Sequence, residues 1–409
     1  MFFFVPISIN NNQSIPLDHL VSWFRQGLGE GASWYALFMI LAGAVYPIVT
    51  GNWRNSRTEK VFLLLKWFGV VAAVLAITKS GPAFLQSPDM LPFLFEKLVI
   101  PVGLIVPIGS VFLVFLVSYG LLEIVGVLLQ RVMRPIWRTP GRSAIDAVAS
   151  FVGSYSIGLL ITNRVYLTGY YSPREAAIIA TGFSTVSATF MLIVAKTLNL
   201  MEFWNIYFWV TLCITFIVTA ITARLPPLCN ITNETAYVEE KIESGNRIKT
   251  ALCKGVEAAG KAPSVRGNIL DSLKDGLIMT ISILPTIMSV GIIGLLAAKF
   301  TPIFDWIGYL FYPITRVWGL EHSMELARAS AAGLAEMFLP ALLMKDTDIV
   351  ARFSTGVVCV SSILFFSASI PCILSTKIPL KVSQLVLVWF IRTFLSLALA
   401  IPIAILLFK

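Results

Sequence analysis

The sequence predicts an all-α, polytopic integral membrane protein with about eight full spans and two re-entrant hairpins arranged as an inverted repeat. Three observations carry this: extreme apolarity, long apolar runs separated by short basic loops, and two polar, glycine-broken stretches at matching places in the two halves. Of 409 residues, 57% are hydrophobic and only 13% charged, against roughly 25% charged in soluble domains. A mean hydropathy of +0.83 would leave a water-soluble fold without enough polar surface to meet solvent. Lipid is the solvent that fits.

The elements follow in order. Met1–Ile9 is too short to span and lacks the basic start of a secretory leader; it reads as the end of a first helix. From Ser14 to Arg25, Leu17, Leu20, Val21 and Phe24 share one helical face and Asp18, Ser22 and Arg25 the other, the pattern of an interfacial helix. Apolar runs long enough for the hydrocarbon core then fall at Trp34–Thr50, Val61–Thr78, Leu98–Leu129, Arg174–Lys196, Trp204–Ala223, Gly276–Lys299, Ile349–Ile370 and Val382–Phe408. Arg54, Arg57 and Lys60 follow the first run, and Arg131, Arg134, Arg138 and Arg142 the third. The longest loop carries Arg224, Lys241, Arg247, Lys249, Lys254, Lys261 and Arg266. These loops are expected on the cytoplasmic side, so the net charge of +9 reads as topology rather than as a nucleic-acid surface. The expected organisation is an N-terminal membrane region with the interfacial helix at 1–120, a first repeat at 121–224, a cytoplasmic loop at 225–267 and a second repeat at 268–409.

Glycine and hydroxyls interrupt the first polar stretch, which runs from Ser143 through Asp146, Ser150, Gly153, Ser154, Tyr155, Ser156, Gly158, Thr162, Asn163 and Arg164. The second, between Glu321 and Asp348, holds Glu325, Arg328, Ser330, Gly333, Glu336 and Pro340. Ser150-x-x-Gly153 aligns with Ser330-x-x-Gly333, and Thr181-Gly182 before Ser187 aligns with Thr355-Gly356 before Ser361. Unwound backbone at membrane depth is tolerable only where it lines a cavity. Paired interruptions at corresponding places point to a midplane binding site in secondary transporters. A second reading stands beside this one: small residues also allow close helix packing, and hydroxyls often bond back within their own helix. Gly153, Ser154, Ser156, Asn163, Thr181, Ser184, Gly333, Glu336 and Thr355 are the candidate solute contacts, with Gly182 and Gly356 as helix breaks or close contacts. Glu336 is the sharpest, because an unpaired intramembrane charge costs roughly 2.5 kcal/mol or more. It either meets solute or a coupling cation, or it pairs with Arg328, Arg352 or Arg392.

Other chemistry finds little footing. The five cysteines are scattered with no histidine close by, the two histidines exclude an H-E-x-x-H helix, and no phosphate-binding glycine loop occurs. Asp18 beside His19 is the sole candidate for interfacial catalysis, and polar faces of interfacial helices routinely carry such residues. No enzymatic activity and no metal or organic cofactor are expected.

The opening Phe2-Phe-Phe-Val-Pro-Ile with Ser14-Ile-Pro-Leu-Asp-His-Leu-Val, together with the two Ser-x-x-Gly and Thr-Gly units, resembles the YjiH-type membrane proteins that carry the nucleoside-recognition or Gate domain. The resemblance covers about the first thirty residues, Leu121–Leu198 and, more faintly, Leu295–Ile373. It implies a permease-like fold distantly similar to nucleoside transporters and the ferrous-iron transporter's membrane domain. Solute contacts then map to Gly153, Ser154 and Ser156 in the first hairpin and to Gly333 and Glu336 in the second. The first hairpin departs from nucleoside transporters by offering mainly hydroxyls. The expected activity is secondary transport of a small polar, nucleoside-like solute across a bacterial inner membrane, coupled to a sodium or proton gradient. The alternative is a non-transporting scaffold or subunit. Expected partners are the solute, the bilayer, a second small Gate-domain protein and a further copy of the chain, with no nucleic acid.

Overall fold

The computed structural model describes residues 7–9, 12–14, 16–54, 57–88, 90–117, 119–152, 155–167, 169–234, 247–261, 264–374 and 376–408. The described chain is built of helices, apart from one small antiparallel ribbon, Ile7–Ile9 against Asn12–Ser14. Ile7–Ile9 is therefore a strand and not a helix end; its Ile-Ser-Ile alternation has a strand's two-residue period. Residues 1–6 lie outside the described ones. Helix Pro16–Leu28 follows, with Val21 buried and Trp23, Phe24 and Leu28 exposed.

Among the described residues, six helical stretches are long and apolar enough to cross a membrane: Gly31–Val49, Glu59–Thr78, Ala83–Phe112, Met201–Thr222, Val265–Ala297 and Val382–Phe408. They match six of the eight apolar runs. The other two runs are split. Arg174–Lys196 becomes Pro173–Gly182 and Ala188–Thr197, and Ile349–Ile370 becomes Ile349–Ser361 and a helix starting at Ser369. The run Leu98–Leu129 divides at Gly120 (φ +82°) into Ile100–Val117 and an amphipathic helix, Leu121–Trp137.

The chain packs as two units, 1–111 with 270–302 and 366–368, and 112–269 with 303–365 and 369–409. In the first unit the long helix Val265–Phe300 contains Pro285, which has no N–H to offer the carbonyl of Ile281 one turn back. Gly43 fills that place: a Cβ there would lie 1.7 Å from the Ile281 oxygen. Gly69 approaches the carbonyl of Pro285 itself, where a Cβ would lie 2.1 Å away.

The second unit holds the repeat. Each half runs in the same order: a hairpin, a split helix, a long helix. In the first half these are Ala144–Val152 with Tyr155–Leu167, then Pro173–Gly182 with Ala188–Thr197, then Trp204–Thr222. In the second they are Ser323–Ala332 with Leu339–Met344, then Ile349–Ser361 with Ser369–Leu374, then Val382–Phe408. The two long helices run antiparallel, since Phe203 meets Phe408 at 4.9 Å between ring centroids while Arg392 reaches Thr219 at 3.1 Å. The split helices do the same: Arg352, at the start of the second, donates to the carbonyl of Leu198 just past the end of the first. Equivalent elements with opposite directions make an inverted repeat.

Candidate functional site

The breaks come first, because they place everything else. Ser172 opens the first half-helix with a reciprocal capping box: its hydroxyl accepts from Glu175 N–H at 3.1 Å and its own N–H donates to the Glu175 carboxylate at 2.9 Å. After Gly182, Phe183 keeps a helical backbone and the Thr185 N–H turns back to the Phe183 carbonyl at 2.8 Å, before the Ser187 hydroxyl accepts from Phe190 N–H and restarts the helix. Asp348 caps the second split helix by accepting from Val350 and Ala351. That helix ends at Ser361, beyond which Ile363 takes a left-handed backbone (φ +62°) and the Ser369 hydroxyl accepts from Phe365 N–H at 2.8 Å. Short polar side chains that bond local backbone are what make unwinding affordable here.

Each hairpin lies against the other half's split helix. The second arm of the first hairpin packs on Ser369–Leu374, and the second arm of the second hairpin packs on Ala188–Thr197. Ring contacts mark the junctions: Tyr155 with Phe365 at 5.7 Å, and Phe338 with Phe190 at 5.9 Å.

Ser184 and Thr185, in the first break, are buried with hydroxyls that find no partner among the described residues. Such groups are uncommon in native interiors and each asks for an explanation. Glu336, 5% exposed, turns one carboxylate oxygen back to accept from Phe338 N–H at 2.6 Å. None of the cations proposed as its partner pairs with it: Arg328 meets Asp305 at 3.1 Å, Arg352 donates to Leu198, and Arg392 donates to Ser361 and Thr219.

The remaining sequence candidates divide by surroundings. Gly153 and Ser154 lie outside the described residues. Ser156 stands in the first turn of the hairpin arm Tyr155–Leu167. Asn163, deeper in that arm, accepts from Lys377 N–H at 2.9 Å and fastens the chain after the second split helix. Thr181 and Thr355 sit inside their half-helices and bond back to Ala177 and Ala351 at 2.7 and 2.8 Å, the packing role of the second reading. Gly333 closes the first arm of its hairpin, 3.3 Å from Pro340 Cγ as a Cβ would see it. Gly182 ends a half-helix, whereas Gly356 lies within one and makes a close contact: Tyr207 rests on it and donates to its carbonyl at 3.0 Å.

Thr185, which the sequence offers as a packing hydroxyl like its neighbours, and Asp146, placed in the first polar stretch, both stand out in the structure. The Asp146 carboxylate is 1% exposed and accepts from Thr162 at 2.6 Å and Tyr171 at 2.7 Å. It ties the two hairpin arms to the loop that follows. One turn on, Ser150 meets Gly158, where a Cβ would lie 1.8 Å from the serine oxygen, so the arms pair in a single antiparallel register.

Residues 99–201, which take in the first hairpin and first split helix, match the Gate family, described as nucleoside recognition. The uncharacterized protein BpOF4_10220 of Alkalihalophilus pseudofirmus is 33% identical over 360 residues, covering 84% of this chain and 76% of that one. The chain belongs to that protein's family and carries a Gate domain. The structure of CNTnw in an inward-facing substrate-bound state aligns at a TM-score of 0.40 and 14% identity, covering 95% of this chain and 94% of that one. The apolar helices make this Gate-domain protein a multi-pass membrane protein, and its matched segment contains the first break, where the Ser184 and Thr185 hydroxyls find no partner among the described residues.

Proposed function

We propose that this Gate-domain protein is a secondary transporter of a small, neutral, nucleoside-type solute in a bacterial inner membrane, driven by a sodium or proton gradient. The observation that carries the proposal is the packing of each hairpin on the other half's split helix, beside a first break whose Ser184 and Thr185 hydroxyls find no partner and a Glu336 that meets no cation among the described residues. Interrupted helices facing each other across a pseudo-two-fold are how secondary transporters expose backbone to solute at the bilayer midplane. A solute with hydroxyl and amine donors would satisfy the orphan hydroxyls and the free face of Glu336. The flat rings of Tyr155, Phe365, Phe190 and Phe338 suit a planar base. Movement of the hairpins against the long helices would open the site alternately to each side.

Uptake of labelled adenosine and uridine into proteoliposomes, under an imposed sodium or proton gradient, tests this. Wild type is expected to accumulate nucleoside, and Glu336→Gln to lose at least about tenfold, the worth of one hydrogen bond to a charged group. Absence of both binding and uptake in wild type would overturn the transport proposal. Full uptake by Glu336→Gln would remove the carboxylate's role alone.

A further inference from the structure

Arg392 lies fully buried in the middle of the last long helix, 0% exposed, and no carboxylate approaches it among the described residues. A buried guanidinium without a counter-charge is costly, so its surroundings must supply one. Its Nε and Nη2 donate to the carbonyl of Ser361 at 3.1 and 2.8 Å, and its Nη1 donates to Thr219 Oγ1 at 3.1 Å. The Thr219 hydroxyl lies 2.7 Å from the carbonyl of Thr215, one turn back in its own helix, and 2.9 Å from the carbonyl of Gly182, and shares its one proton between the two. Ser361 and Gly182 are the last residues of the two half-helices that precede the breaks. Their carbonyls are among those an ended helix leaves without a partner, and each helix C-terminus carries roughly half a negative charge. Two such ends together amount to about one negative charge, which matches the guanidinium.

We infer that Arg392 is a positioning residue: with Thr219 it clamps the ends of both split helices into one unit, so that the two unwound segments are held, and move, together. The clamp bridges the inverted halves at the crossing of their long helices. A lysine cannot replace it, because a single ammonium lacks the planar fork that reaches Ser361 twice and Thr219 once. The inference extends the proposed function by naming what sets the geometry of the break that carries Ser184 and Thr185. Its first test does not depend on transport.

That test is hydrogen–deuterium exchange of the purified full chain in detergent, comparing wild type, Arg392→Lys and Thr219→Val. In Arg392→Lys, amides of both 183–187 and 362–365 are expected to exchange at least about tenfold faster, as for loss of a charge-assisted hydrogen bond. Exchange in helices Gly31–Val49 and Arg57–Thr78 should not change. Thr219→Val should loosen 183–187 and leave 362–365 near wild type. Acceleration confined to 362–365 in Arg392→Lys, or spread evenly over every helix, would overturn the clamp. Where nucleoside uptake is measurable, Arg392→Lys should raise KM about tenfold per folded protein, and adding Thr219→Val should change it little, because residues of one network are not additive. Unchanged KM, or full additivity, would equally count against it. Failure of uptake in wild type bears on the transport proposal, and the exchange result still decides the clamp.

Discussion

Single residues here do different work from neighbours of the same type. Thr181, Ser184, Thr185 and Thr355 are all small hydroxyls in apolar surroundings, yet Thr181 and Thr355 bond back to their own helix while Ser184 and Thr185 find no partner among the described residues. The difference is the backbone: inside a helix a carbonyl four residues back is within reach, and past the end of one it is not. Thr355→Val is therefore expected to leave nucleoside uptake within about twofold, while Ser184→Ala lowers it by about tenfold, the loss of a hydrogen bond to solute. Equal losses in the two variants would contradict this division. Asp146 makes a separate, structural prediction. Asp146→Ala leaves the Tyr171 hydroxyl buried without its acceptor, at a cost of about 1–3 kcal/mol, while Thr162 keeps the carbonyl of Gly158 at 2.8 Å. Thermal unfolding in detergent should show a clearly lowered Tm, and an unchanged Tm would mean the clasp is not formed.

At the scale of elements, the sequence revealed where helices are interrupted better than how. The hairpins were legible because glycine, serine, proline and a carboxylate intrude on apolar runs at Gly153, Ser154, Gly333, Glu336 and Pro340. The split after Gly182 was legible, with Gly182 read as a helix break or close contact and Ser184, Thr185 and Ser187 following it, whereas nothing around Gly356 told that the second split would fall later, after Ser361. Gly356 shows the same limit, since a glycine before a serine reads alike whether it ends a helix or receives a tyrosine. The residues that stabilise the breaks come from far along the chain, Thr219 from 37 residues beyond Gly182 and Arg392 from 31 beyond Ser361. No local pattern could connect them. In the first unit, packing depends on glycine where Pro285 has freed a carbonyl. Gly43→Val has no space for its side chain and should cost about 1–3 kcal/mol by overpacking, read as a fall in Tm; tolerance of valine would contradict the close approach at Ile281.

For the whole molecule, the inverted repeat carries the functional argument, because it brings interrupted segments from the two halves to one region from opposite directions. The antiparallel long helices can be checked by pairing Phe203→Cys with Phe408→Cys in a chain whose native cysteines are replaced. Their rings lie 4.9 Å apart, so mild oxidation should join them and shift mobility on a gel, whereas parallel helices would leave them apart and unjoined. Six of the eight expected crossings and the opposite sense of the repeat were readable from apolar runs, paired interruptions and basic loops, while the grouping of 270–302 with the N-terminal helices was not, since only packing reveals it. The measurement that bears most directly on the shared site is labelling of Ala335→Cys, beside Glu336 at the second tip, with a membrane-impermeant maleimide in proteoliposomes. The expected result is labelling that nucleoside suppresses; a cysteine that reacts from neither side, or reacts equally with every nucleoside present, would contradict a solute site between the hairpins.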